Sequence, residues 1–179
     1  MQVIEIRGDD KREIHLRQNE EASLVYCITD RQHWRGQCVV HLEGSGAKIK
    51  IRGIMHGVAQ ADLQYALTVH HAADHTQSDI EFRGVAEDKS HLVFDGLIKV
   101  LPHTIGTVAN EQNRNLLLSN EAVVESHPRL EIDSNEVVCR HGSTVGDLDK
   151  DQLFYVMSRG ISEKEARAIL IEAFLGFIK

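Results

Sequence analysis

Histidine is the residue type that first suggests chemistry in this chain, which carries 11 histidines among its 179 residues. An imidazole can bind a borderline metal ion or carry a proton near neutral pH, so histidines close together in sequence are candidate site residues. One such group comprises His70, His71, Asp74 and His75. On a helix, His71 and His75 would share a face and chelate a transition metal, whereas on a strand followed by a turn they would diverge. Solvated or hydrogen-bonded histidines are the alternative.

A cysteine and a histidine two residues apart form the second candidate site, at Cys139 and His141. On a strand, residues two apart lie on the same side, so a thiolate and an imidazole would together suit a soft or borderline metal. A buried cysteine near a histidine in a turn is the alternative. Adjacent positions on one strand do not provide the supported nucleophile and base of a Cys–His hydrolase. The sequence also lacks a nucleophile elbow, a phosphate-binding glycine loop and a dinucleotide fingerprint.

Short alternations of apolar and polar residues run from residue 1 to about 147 and indicate half-buried strands. The apolar pairs that share a face are Ile4/Ile6, Ile14/Leu16, Val40/Leu42, Ile49/Ile51, Ile80/Phe82, Leu92/Phe94 and Leu130/Ile132. Three segments end in Arg-Gly, at Gly8, Gly53 and Gly84, where glycine suits a bend with positive φ or a close approach of backbones. Many short strands without a fixed repeat length fit a β-sandwich or a β-solenoid, and the pattern alone does not choose between them.

The hydrophobic period becomes helical after residue 147. We predict a short helix from Asp149 to Ser158, a stop at Gly160, and a second helix that begins with a capping box of Ser162 and Glu165. The second helix carries two neighbouring apolar rows, one of Ala166, Ile169, Leu170, Ala173, Phe174 and Phe177, the other of Ala168, Ile171, Leu175 and Ile178. So wide an apolar surface is covered either by the rest of this chain alone or partly by a second protein. We place a β domain at residues 1–147 and a helical domain at 148–179.

Composition excludes several classes of protein. Apolar residues make up 42% and charged residues 26%, as in an ordinary globular chain, and the net charge of −7 argues against nucleic-acid and anionic-membrane surfaces. The longest apolar runs are five residues, Leu24–Ile28 and Leu153–Met157, too short for a membrane span. The N-terminus lacks the pattern of a signal peptide. Cys27, Cys38 and Cys139 form no C-x-x-C motif, so we expect a reducing compartment and predict a cytoplasmic protein.

From residue 71 to the end, the chain resembles the SufB/SufD family of iron–sulfur cluster assembly proteins. The matching stretches, in order, are residues 71–78, 92–96, 112–119, 128–132, 139–146, 148–149, 153–155 and 158–161. They include Cys-Arg-His-Gly-Ser-Thr-Val-Gly from Cys139 and Ser-Arg-Gly-Ile from Ser158. Residues 1–70 are similar to the family only in the alternation of apolar and polar residues that is typical of strands.

The resemblance implies a mainly β fold, a right-handed parallel β-helix (β-solenoid) followed by a short C-terminal helical domain. It implies a non-catalytic scaffold that forms a homodimer, or a heterodimer with another SufB/SufD-like protein, through the β-helix. It further implies that the C-terminal helices bind a SufC-like ABC-type ATPase. The partner-binding residues to which this points are Leu153, Phe154, Ile161, Ile171, Phe174, Leu175 and Ile178.

The resemblance also assigns candidate site residues. His141 matches a family histidine near the pair interface that is implicated in cluster formation, so His141 with Cys139 is the candidate site for a transient iron–sulfur cluster. His71 and His75 are weaker metal candidates. The SufB branch has a cysteine at the position of Ala122, and the Cys-Arg-His-Gly stretch is similar to the SufD branch.

Two other functional classes stay open on the residues alone, besides the scaffold subunit. One is a metal-binding β protein that works without an ATPase, and the other is a structural pairing partner with no ligand. The remaining histidines carry no specific assignment. His15 and His41 lie on the polar side of alternating strands, and we interpret them as ordinary surface residues.

Overall fold

The computed structural model describes residues 3–6 (backbone), 11–29 and 32–176, and its body is a parallel β-solenoid of about 5 turns. The predicted mainly β class is confirmed, and the solenoid displaces the sandwich alternative. The strands are β1 (Val3–Ile6), β2 (Lys11–Leu16), β3 (Glu21–Ile28), β4 (His33–Leu42), β5 (Lys48–Gly57), β6 (Asp62–His71), β7 (Gln77–Ala86), β8 (His91–Val100), β9 (Thr107–Leu117), β10 (Val123–Ile132) and β11 (Val137–Gly146).

Successive strands alternate between two sheets. The odd-numbered strands form one sheet in the order β1-β3-β5-β7-β9-β11, and the even-numbered strands form the other in the order β10-β8-β6-β4-β2. Every pairing is parallel, and from β2 onward the paired residues lie 26 (Lys11 with Gln37) to 32 (His91 with Val123) positions apart. This variable spacing explains why the sequence shows no fixed repeat length.

The core lies between the two sheets and is filled mainly by alternate side chains of the strands β4 to β8. Strand β6, for example, alternates half-buried and fully buried residues along its whole length. Aromatic rings stack near the centre: Tyr65 lies 4.7 Å from Tyr26 and 5.1 Å from Phe82, and Phe82 lies 4.6 Å from Phe94, measured between ring centroids. These contacts bury the largest apolar surfaces of the solenoid and align the strands above and below them.

The glycine bends predicted from the sequence are wrong where the structure describes them. Gly53 and Gly84 lie inside β5 and β7 and not at bends, and neither has a positive φ. Gly53 serves close packing instead, since a Cβ at this position would lie 2.0 Å from Cε1 of Phe82. Gly8 lies outside the described residues.

Two helices follow the last strand, α1 (Lys150–Met157) and α2 (Glu163–Leu175). The Asp149 side chain caps α1 by accepting hydrogen bonds from two backbone N–H groups, and the predicted capping box of Ser162 and Glu165 is present at the start of α2. Gly160, between the helices, has a φ of +83° and ends the first helix as predicted. Within the described part of the chain, no helix has the length and apolar character needed to cross a membrane.

Candidate functional site

The interior of the solenoid changes from apolar to polar where the two sheets end at β10 and β11, which we call the terminal rung. Along one interior ladder, Ile51 pairs with Ile80, Ile80 with Glu111, and Glu111 with His141. Residues paired in a parallel sheet point to the same face, so Glu111 and His141 continue a row that begins with isoleucines. The terminal rung therefore carries polar groups in positions that are core positions elsewhere.

Glu111 is the most unusual residue of this polar segment. It is only 1% exposed, and neither carboxylate oxygen has a hydrogen-bond partner among the described residues. The carboxylate lies against Gly96 of the opposite sheet, where an added Cβ would be 2.3 Å from Oε1. Burial, and secondarily the charge of Asp95, raises the pKa of Glu111 to about 7. A group with this pKa is poised to gain or lose a proton, or to accept a cation, near neutral pH.

Cys139 and His141 both lie on β11, two residues apart, and thus face the same side as predicted. Cys139 is half-buried and packs against the core, and this burial raises the pKa of its thiol. His141 is exposed because β11 is the last strand of its sheet. His141 and Glu111 line one open cleft of about 350 Å³, together with Asn113 and Arg140.

The terminal rung thus offers a thiol and an imidazole, and Glu111 of the neighbouring strand β9 adds a carboxylate, a donor set that suits iron, zinc and other borderline metals. The donors do not form a complete site by themselves. Among the residues that the structure describes, neither Cys139 nor His141 belongs to a group of three donors within metal-binding distance of one another.

The first predicted cluster, at His70, His71 and His75, is not brought together as a site. His71 ends strand β6 and His75 lies in the following turn with a φ of 57°, so the chain takes the strand-and-turn course in which the two diverge. His71 is fully buried, with Nδ1 2.9 Å from the Thr76 hydroxyl and Nε2 2.9 Å from the Ser78 hydroxyl. Both ring nitrogens are engaged, and this arrangement gives His71 a structural role.

We predict that His71 makes the protein less stable in mild acid. Burial, with a smaller effect from His70, lowers the pKa of His71 from 6.5 to about 4, so the unfolded state binds a proton that the folded state does not. Stability should therefore fall as the pH drops from 6.5 to 4, by on the order of 3 kcal/mol. A His71→Gln variant should lose this part of the pH dependence in urea denaturation. An unchanged pH profile would contradict the assignment.

The predicted partner-binding residues fall into two groups. Ile171 is buried, and Phe174 and Leu175 are half-buried, in a cluster that joins α2 to the solenoid. Phe154 on α1 is 74% exposed, and Leu153 and Ile161 are half-buried. Ile178 lies outside the described residues. The partner role of these residues remains a prediction, and the exposed apolar surface available for it centres on α1.

Arg83 of β7 fastens the end of α2 to the solenoid. Its Nη1 donates a hydrogen bond of 2.6 Å to the backbone oxygen of Phe174, and its guanidinium lies 5.4 Å from the centroid of the Phe174 ring. Glu81 accepts hydrogen bonds of 3.0 and 2.8 Å from Nε and Nη2 of the same side chain. A fork held on both sides in this way fixes the direction of α2 relative to the sheet.

A comparison with protein-family models matches residues 9–174 to the SufBD core domain, described as belonging to the SUF system of FeS cluster assembly. The chain belongs to the SufB/SufD family. This confirms the family expected from the sequence, and the match extends into the first 70 residues, where the sequence motifs gave no specific signal.

Curated relatives of this SufB/SufD-family chain come from bacteria and plants. It is 35% identical to the iron–sulfur cluster assembly protein SufD of Escherichia coli over 133 residues, covering 74% of this chain and 31% of SufD. It is 30% identical to SufD of Bacillus subtilis over 135 residues, again covering 75% and 31% of the two chains. The chloroplastic protein ABCI7 of Arabidopsis thaliana is 41% identical over 90 residues, covering 50% and 19%. The chain thus spans about a third of the length of the two SufD proteins.

Sequence reasoning missed Glu111 as a site residue of this SufB/SufD-family chain. The signal was present, since Asn110 to Asn115 is polar on both faces although β9 is as long as its neighbours. Inward-facing polar side chains need either polar partners or access to solvent. Strand β9 lies next to the terminal rung, where the core opens to solvent. Only the register of the strands shows that Glu111 and His141 are neighbours.

Proposed function

We propose that this chain is a scaffold subunit of a SUF-type machine for iron–sulfur cluster assembly, and that it pairs with a second SufB/SufD-family molecule through the terminal rung. One observation carries the proposal: the terminal rung combines two sheet edges with the thiol of Cys139 and the imidazole of His141, and the buried carboxylate of Glu111 lies next to them on β9. Edge strands present rows of backbone donors and acceptors that readily pair with another chain. Pairing would cover these edges and bring a second set of ligands to Cys139 and His141.

The cluster is cargo in this proposal, and the chain's own residues bind it only transiently. An iron–sulfur cluster usually has four protein ligands, more than Cys139 and His141 supply. Glu111 is a third donor, and its burial without a hydrogen-bond partner favours binding a cation. The remaining ligands would come from the paired molecule. Loss of the thiol proton of Cys139, which burial disfavours, would accompany iron binding.

The proposal gives the chain no catalytic step of its own and locates it in the cytoplasm. Cys27, Cys38 and Cys139 form no disulfide bond within the described residues, which supports a reducing compartment. Free energy for opening and closing the pair would come from an ATPase bound to the helices.

Helix α1 supplies the surface proposed for an ABC-type ATPase. None of its residues is buried, and Phe154 and Tyr155 are 74% and 59% exposed. Exposed aromatic side chains on a short helix that rests on a rigid body are suited to insertion into an apolar groove of a partner. Met157 on α1 and Ile169 on α2 extend the apolar surface.

We predict that a Phe154→Asp variant will lose ATPase capture. A charge placed at the centre of an apolar contact should weaken binding by more than about tenfold. The measurement is retention of a co-expressed SUF-type ATPase on the tagged chain. Ile105→Asp is the matched control, because Ile105 is also an exposed apolar residue, 40% exposed, but lies in the turn between β8 and β9. Equal retention by wild type and Phe154→Asp would place the docking surface elsewhere.

A further inference from the structure

We propose that Glu13, His15 and His41 form a binding site for a borderline divalent metal ion, with Zn²⁺ as the representative ion. The site lies at the N-terminal end of the even-numbered sheet, on β2 and β4, whereas the terminal rung is at the other end. Among the residues that the structure describes, this is the group whose three ligand atoms all lie within 4.8 Å of one another. The interpretation of His15 and His41 as ordinary surface residues does not account for this geometry.

Strand register brings the three side chains together. Glu13 and His15 are two residues apart on β2 and share its outer face, and His15 is paired with His41 of β4. The two imidazole rings stack with centroids 4.7 Å apart and planes 10° from parallel. His41 in turn stacks on His70 of β6, at 4.9 Å and 7°. The stack places His15 and His41 side by side on the outer face of the sheet.

The two distances from Glu13 are close to those between ligands of one small metal ion. Oε1 of Glu13 lies 3.0 Å from Nε2 of His41 and 3.7 Å from Nε2 of His15. Zinc binds nitrogen and oxygen at about 2.0–2.2 Å, which separates neighbouring ligand atoms by about 3 to 3.5 Å. The ligand nitrogens of His15 and His41 lie within 4.8 Å of each other, so the two nearly parallel rings must tilt toward the ion for their lone pairs to converge on it.

Glu43 orients the His15 ring. Nδ1 of His15 lies 2.8 Å from Oε1 of Glu43, and because a carboxylate only accepts, Nδ1 carries the hydrogen in this contact. Nε2 is then the ring nitrogen that offers a lone pair, and it lies on the side of Glu13, 3.7 Å from Oε1.

The same contact is typical of metal sites, in which a ligating histidine donates its other N–H to a carboxylate that orients the ring. The three donors are an imidazole pair and one carboxylate, which favours zinc, nickel, cobalt or copper over magnesium and calcium. Glu13 and His15 are exposed, so water can reach the ion and occupy its remaining positions. The site would link β2 to β4 and stabilise the first part of the even-numbered sheet.

The test measures Zn²⁺ binding by titration calorimetry against a competing chelator, with the full chain carrying His141→Ala so that the terminal rung does not contribute. We expect His15→Gln and His41→Gln to weaken Zn²⁺ binding at least about tenfold, and Glu43→Ala, which removes only the orienting contact, about tenfold. Zn²⁺ should also raise the melting temperature of the parent chain and not that of the His15 and His41 variants.

His127→Gln is the matched control. His127 and His91 share Glu125 on the outer face of the same sheet, but they contact different oxygens of this carboxylate, at 3.3 and 2.9 Å. We expect this variant to bind Zn²⁺ like its parent. The proposal is overturned if His15→Gln and His41→Gln bind as the parent does, or if His127→Gln loses as much affinity as they do. Should the histidine variants fail to fold, Glu43→Ala decides alone, since the Glu43 side chain is on the surface and unchanged affinity in this variant overturns the site.

Discussion

Replacing Glu111 with glutamine should raise the free energy of unfolding at pH 8 by about 3 kcal/mol and leave it unchanged at pH 4.5. The folded-state pKa of about 7 lies above the ordinary value of 4.5, so the folded state binds this proton more tightly than the unfolded state. The stability contributed by the protonated group is complete below pH 4.5 and is lost as the pH rises through 7. Glutamine keeps the shape of the side chain and has no charge to bury.

Urea denaturation of both proteins at pH 4.5 and pH 8 measures this difference. Glu136→Gln is the control, because Glu136 is an exposed carboxylate in the turn before β11 and its substitution should change stability little. A Glu111→Gln variant that is equally or less stable than wild type at pH 8 would contradict the burial of an uncompensated carboxylate. A gain in stability would mean that the natural residue is retained at a cost to folding, as is common for groups with a function.

The second large effect is expected for His141→Ala in anaerobic reconstitution with iron and sulfide. Loss of an exposed imidazole at the open side of the rung should not unfold the solenoid, but it removes a proposed ligand. For the chain co-expressed with a SufB-like partner, we expect at least about a tenfold loss in affinity for iron, read as a loss of visible cluster absorption at limiting iron. The far-ultraviolet circular dichroism should not change.

His127→Ala provides the control for this measurement. His127 is an exposed histidine of the same rung, but it lies on β10 and makes an ion-pair contact with Glu125 on the outer face. We expect its cluster absorption to equal that of wild type. Wild-type absorption from His141→Ala would remove His141 from the site, and equal losses from both variants would indicate a non-specific effect of histidine loss.

The fold was largely predictable because burial leaves a strong periodic signal. Pairs such as Ile49/Ile51 and Leu92/Phe94 mark the inward faces of their strands, and the structure buries all four residues. This signal could not distinguish a β-sandwich from a β-solenoid, because alternation shows which face of a strand is buried and not which strand it pairs with. The resemblance of residues 71 to 179 to a known family supplied the missing information.

The site was only partly predictable because its residues are neighbours through strand register. Cys139 and His141 are close in sequence, and their shared side follows from the period of a strand. Glu111 lies 30 residues from His141, and its role depends on a spacing that varies from turn to turn. His15 and His41 were passed over for the same reason, since nothing in the sequence shows that they are paired.

Apolar surface on the second helix gave the least specific prediction. The sequence left open whether the rest of this chain alone covers the apolar rows of α2 or a second protein covers part of them. The structure shows that the solenoid covers Ile171 and partly covers Phe174. Helix α1 carries Phe154, the most exposed large apolar side chain among the described residues. Sequence periodicity tells how much apolar surface a helix has, whereas which part stays uncovered depends on docking contacts such as that of Arg83 with the end of α2.

Hydrogen exchange of the two edge strands tests the central claim, pairing through the terminal rung, most directly. Amide exchange would be followed by mass spectrometry for the chain alone and for the chain with a co-purified SufB/SufD-family partner. We predict slower exchange on pairing in Val123–Ile132 and Val137–Gly146, because backbone groups at the sheet edges gain partners or lose access to water. Protection confined to the first strands or to the helices, with β10 and β11 exchanging as in the free chain, would contradict the account.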